Sequence, residues 1–178
     1  MLTASTSIVI ASILGALGVV LRTFSVQIVE NVQITPGMIA PILSGMLLGI
    51  SGGILTGSIV GVYAAAFSGE FWLIPLIGNI CLGISTGIIK FSRNKKYIKS
   101  LLFIISSGII GGFLPTFIFI LMLIPNVTVA AVSGLSDLIN ASIAALIAIP
   151  IWYEVEKLLG KNNEIKNIYK TDDFLTKQ

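Results

Sequence analysis

The sequence predicts an all-α integral membrane protein, a bundle of six transmembrane helices with both termini in the cytoplasm. Three observations lead there. Of 178 residues, 55% are hydrophobic and only 11% charged, where a soluble domain carries about 25% charged residues; mean hydropathy is +1.00. The apolar residues fall in runs long enough to cross a hydrocarbon core of about 30 Å at about 1.5 Å per residue. Ten of the eleven Lys and Arg residues stand in two clusters, Lys90 to Lys99 and Lys157 to Lys177. That placement marks cytoplasmic flanks and gives no nucleic-acid patch.

The first run, Ala4 to Phe24, is read as a retained span, because no basic segment precedes it and no cleavage-like break interrupts it. The next segment, VQIVENVQITP from Val26 to Pro36, alternates apolar and polar residues and carries Glu30 and Asn31, so it is expected to be a re-entrant or extended loop. Gly37 to Phe67 then holds no charge at all. As one helix it would be roughly 46 Å long, half as long again as the membrane core. A break at Gly52-Gly53 divides it into spans 37–51 and 53–67, while Gly45, Gly49, Gly53, Gly57 and Gly61 recur every fourth position and predict close helix packing. SGEFWL, Ser68 to Leu73, has the acid and Trp of a membrane surface. A fourth span covers 74–89, and the basic loop KFSRNKKYIK follows. The fifth covers 101–124 with Pro115 inside it, Pro125-Asn126 marks a turn, and the sixth covers 130–152. Residues 1–160 thus form the membrane domain, and 161–178 a charged cytoplasmic tail.

The positive-inside rule places Lys90 to Lys99 and the Lys-rich tail in the cytoplasm, and two spans lie between them, so the signals agree. The outer loops then contain no Lys or Arg. The chain has no His, which removes His-ligated zinc and haem sites and Ser-His or Cys-His catalysis. Cys81 lies in an apolar run and reads as a small packing residue. No G-x-x-x-x-G-K-[ST] phosphate loop is present, no metal or cofactor is called for, and little catalytic equipment is visible.

In so apolar a chain the informative residues are the polar ones within the spans, since an ionisable side chain at the bilayer centre costs at least about 2.5 to 3.5 kcal/mol. Arg22 stands near the outer end of the first span, Asn79 in the outer half of the fourth, and Asp137 and Asn140 three residues apart on one face of the sixth. Arg22 snorkelling to the interface, and Asp137 serving as its structural partner, are the plain alternatives to ligand binding. Phe71 and Trp72, beside Glu70, form either an aromatic belt or a cover over a ligand.

Taken together, SILGALGVVLRTF (Ser12 to Phe24), TPGMIAPILSGMLLGISGGILTGSIVGVYAAA (Thr35 to Ala66) and IGNICLGISTGIIKF (Ile77 to Phe91) resemble the first four helices of the S components of energy-coupling factor (ECF) transporters, the vitamin-uptake branch of the ABC importers. The resemblance implies a substrate-specificity subunit in the plasma membrane, not an enzyme, which captures a vitamin or related micronutrient. It implies as partners a transmembrane coupling subunit and two cytoplasmic ATPases. By position in that family, the substrate-binding candidates are Gln33, Thr35, Glu70, Trp72, Asn79, Asp137 and Asn140, with Arg22 added from its cost in the bilayer. The family docks through small residues four apart on the first helix; here the candidates are Ala11 with Gly15 and Ser12 with Ala16. The alternative is a small oligomeric channel or scaffold packed through its glycine stripes.

Overall fold

Continuous apolar runs with few polar side chains have one stable backbone solution in lipid, the helix, and the chain is built almost wholly of helices. The computed structural model describes residues 4–29, 32–67, 71–92 and 95–175, with 27–29, 32–33 and 159–175 described by backbone alone. Six helices follow in order: α1 Ala4–Thr23, α2 Ile39–Leu48, α3 Ile50–Phe67, α4 Leu73–Lys90, α5 Lys96–Leu123 and α6 Val127–Leu175. Among the described residues five helices are long and apolar enough to cross a membrane, and the sixth apolar segment, Pro36–Leu48, is shorter. The fold is a helical membrane bundle.

Between α1 and α2 the alternating segment forms a small antiparallel hairpin, β1 Val26–Val29 with β2 Val32–Ile34. Thr35 ends it. Its Oγ1 accepts from the Gly37 amide (3.3 Å), capping a single 3-10 turn, Pro36–Met38, that leads into α2. Ser25 donates to the Arg22 carbonyl at 2.6 Å and lies 2.9 Å from Thr35 Oγ1, so both ends of the hairpin are tied to the end of α1.

The expected break at Gly52-Gly53 falls instead at Gly49. This residue has φ of 85° with ψ of −163°, an extended positive-φ conformation essentially confined to glycine and costing other residues about 1–3 kcal/mol, and its amide closes the last turn of α2 on the Gly45 carbonyl. Gly52 and Gly53 lie inside α3. Gly53 is needed for another reason: it faces Gly83 of α4 backbone to backbone, and a Cβ on either would collide with the other's carbonyl. Gly57 and Gly61 continue the contact against Asn79 and Leu76. The four-residue repeat thus serves the α3–α4 interface.

In α5 the regular helix Lys96–Ser106 widens into a π segment, Ser107–Phe113, before resuming over Leu114–Leu123. Pro115 lacks the N–H that would return to Gly111, and the wider turn accommodates its ring. Gly108 and Gly112 in this segment let α6 approach closely; a Cβ on Gly112 would stand 2.5 Å from the Asp137 carbonyl. Helix α6 runs through Pro150 and continues to Leu175.

The core lies where α2, α4, α5 and α6 meet. Ile42, Met46, Leu82 and Phe103 are fully enclosed by the Ala141, Ala144, Ala145 and Ala148 stripe of α6, and Phe103 meets Trp152 edge-on at 5.1 Å. Large apolar side chains also cover the outside, among them Ile13 and Leu17 of α1, Val62 of α3 and Ile143 of α6. Apolar both within and without, the bundle is matched to lipid. Some buried hydroxyls bond across helices: Thr56 donates to the Ala11 carbonyl at 2.9 Å and sits 2.8 Å from Ser44 Oγ.

Candidate functional site

A cavity of about 210 Å³ opens at the end of the bundle where α1 finishes and α2, α4 and α6 begin. Its wall is apolar over Met38, Ile74, Leu82, Ile120 and Val129, with Phe71 two residues before α4. Into that wall project Arg22, Thr35, Asn79, Thr116, Ser133 and Asp137. Apolar lining with a few converging polar groups is the pattern of a small-molecule site.

Each polar group is held by local structure. Arg22 is 8% exposed, in the last turn of α1, where its charge complements the helix C-terminus. Gly37 lets the 3-10 turn pack close to it; a Cβ added at Gly37 would stand 2.9 Å from the Arg22 Cβ. Asp137 stands two to three turns into α6, and Thr116 of α5, immediately after Pro115, donates its hydroxyl to Asp137 Oδ2. Ser133 is one turn before Asp137 on the same face. Asn79 is 2% exposed; its Nδ2 donates to the Pro75 carbonyl at 2.7 Å, and its Oδ1 has no hydrogen-bond partner among the described residues. The site therefore offers one cation, one anion, an amide and hydroxyls within an apolar enclosure, the means to bind and orient a small polar organic molecule.

Of the expected site residues, the structure gathers Arg22, Thr35, Asn79 and Asp137 around this cavity. Asn140 is buried in α6 beyond the lining. Trp72 is 54% exposed outside the cavity, and its neighbour Phe71 lines it instead. Gln33 lies on β2, where only backbone is described, and Glu70 lies outside the described residues. Thr116 and Ser133 were missed. Ser133 carried a usable signal, four residues before Asp137 and so on its face; Thr116 carried none, because a Thr in an apolar helix ordinarily bonds its own backbone.

The opposite end of the bundle is basic and tied down. Lys90 Nζ donates to the Leu47 carbonyl at 2.5 Å, Lys99 Nζ to the Lys90 carbonyl at 3.0 Å, and Lys96 pairs with Glu156 at 3.5 Å. Residues 6–153 match the family model described as ECF transporter, substrate-specific component. The chain belongs to that family. No curated protein matches it. An S component is the substrate-binding subunit of its transporter and not a catalytic one. Its place is the plasma membrane, as a multi-pass protein working with the ECF module on a small-molecule substrate.

Proposed function

We propose that this S component captures a vitamin or related micronutrient from the outer face in the cavity around Arg22, Asn79 and Asp137, and delivers it through a transmembrane coupling subunit driven by two cytoplasmic ATPases. The observation that carries the reading is the convergence of an Arg, an Asp and an Asn, all costly in a bilayer, on one cavity at the end of the bundle away from the lysines. Orientation follows from charge: Lys90, Lys96 and Lys99 mark the cytoplasmic end, which puts both termini there and the cavity outside.

For docking, α1 offers one of its two small-residue pairs. Ala11 and Gly15 are buried against α3, the first bonded through its carbonyl to Thr56 and the second packed on Ile59. Ser12 and Ala16 are exposed on the outer face of α1 between Ile13 and Leu17, and this pair is the proposed contact with the coupling subunit. The channel or scaffold alternative needs glycine stripes on the surface, whereas Gly53, Gly57 and Gly61 are already covered by α4.

The test is a thermal-shift screen of the detergent-purified protein against water-soluble vitamins and their precursors, with mass spectrometry of whatever copurifies. A ligand at about 100 times its Kd raises stability by about 2.7 kcal/mol through mass action, so a true substrate gives a large upward shift. A flat panel together with an empty extract from folded protein would sink the capture reading.

A further inference from the structure

We infer that the substrate, on the capture reading just given, is a small unphosphorylated molecule that donates an N–H or O–H to Asn79 Oδ1, and that Asn79 is the residue that selects for this donor.

The argument begins with the orientation of one amide. The Pro75 carbonyl can only accept, so the Asn79 nitrogen must face it, and the 2.7 Å bond between them fixes the side chain. This leaves Oδ1 as the outstanding group, on a side chain that lines the cavity and is almost wholly buried. A buried acceptor without a donor is unfavourable. Its position is also imposed: Gly57 of α3 presses against the Asn79 backbone, leaving no room for the turn to withdraw. The nearest wall on α4 is open, because Gly78 meets nothing within 4 Å where its Cβ would be. A ligand with a donor edge fits there.

Size and charge narrow the class further. The cavity, at about 210 Å³, falls below the roughly 300–1,000 Å³ of pockets that take drug-sized ligands. A single heterocycle or a short functionalised chain matches it; a fused flavin with its ribityl arm, a pterin with its glutamate tail or a corrin does not. Arg22 and Asp137 are the charged residues in the lining, and their formal charges cancel. A phosphate ester would bring about two negative charges to an enclosure that is neutral overall, an uncompensated burial.

The experiment uses the full chain in detergent or nanodiscs and measures Kd by titration for biotin, thiamine and a free nucleobase, for riboflavin, folate and cobalamin, and for thiamine pyrophosphate and flavin mononucleotide. Any small molecule extracted from the purified protein is identified by mass spectrometry and added. The expected result is tightest binding by a compact unphosphorylated compound, at least roughly tenfold weaker in Asn79→Leu. The ligand-free variant should unfold at or above the parent temperature, since the substitution removes an unmet acceptor. The N- or O-methyl analogue of the same ligand should bind the parent at least roughly tenfold more weakly and Asn79→Leu no worse than the ligand itself. This analogue comparison on the parent protein stands even if the variant fails to fold. Tightest binding by a large or phosphorylated compound, or no penalty for the methyl analogue on the parent protein, overturns the inference while leaving the capture reading intact. No binding by any compound, with nothing extracted, overturns both.

Discussion

Two glycines on α4 show how one substitution takes opposite signs according to what its Cβ meets. At Gly83 the added methyl collides with the Gly53 carbonyl, so Gly83→Ala should destabilise the protein by about 1–3 kcal/mol, read as a lowered unfolding temperature in lipid or detergent. At Gly78 the methyl enters open cavity, so Gly78→Ala should keep or raise thermal stability, by up to about 1 kcal/mol from helix propensity, while weakening ligand binding because the space is shared. A lowered unfolding temperature for the second, with affinity unchanged, would mean that the cavity wall is packed and not a ligand surface. Thr116→Val belongs to the same scale: removing the hydroxyl that donates to Asp137 Oδ2 should cost about 1.5–3 kcal/mol, because the acceptor is a carboxylate on a partly buried residue. Cost in lipid singled out four polar residues in the sequence, of which Arg22, Asn79 and Asp137 line the cavity and Asn140 lies buried beyond it. The hydroxyl supports were less legible, since Ser and Thr also occur in apolar helices with their bonds met locally, as Ser107 does with the Phe103 carbonyl at 2.7 Å.

Among the elements, α1 has one face packed into the fold and the other proposed for assembly. Its inward face is a run of contacts through Ala11, Gly15, Gly18 and Arg22. Its outward face carries Ser12 and Ala16 among large exposed apolar side chains. Ser12→Leu with Ala16→Leu should therefore abolish copurification with the coupling subunit and leave ligand affinity unchanged, while Gly15→Leu should fail at folding, because Ile59 already fills that space. Retention of the complex in the double variant would move the docking surface off this face. Sequence alone presented the two pairs as equals, since both have small residues four apart, and only the packing of α3 separates them. The break between α2 and α3 is similar. Gly49 and Gly52-Gly53 are alike as sequence, yet Gly87 of α4 sits against the Gly49–Ile50 backbone and Gly83 against Gly53, so the neighbouring helix decides which glycine turns and which packs. The six apolar segments and the extended loop after α1 were legible because length and alternation are local signals.

On the scale of the whole molecule, the bundle has two unlike ends, and the membrane field acts on them differently. The cavity end holds one basic side chain among the described residues of its lining, Arg22, and buries it. The other end displays Lys96 and Lys99 around the start of α5, joined to α6 through the Lys96–Glu156 pair and the 2.8 Å bond between Ser100 and Tyr153. Translocating that lysine cluster would oppose the positive-inside bias, whereas an outer cavity end carries no such barrier. Exposure at both ends allows a direct test in intact cells. With Cys81 replaced by Ala, Trp72→Cys should react with a membrane-impermeant maleimide before lysis, and Lys96→Cys only after it, both positions being exposed at the ends of the bundle. Added substrate should slow the labelling of Trp72→Cys if occupancy draws the adjoining Phe71 and the start of α4 onto the ligand, because the residue next to it lines the cavity. The reverse labelling pattern would put the cavity on the cytoplasmic side and remove it as the point of capture, whatever its affinity for a vitamin.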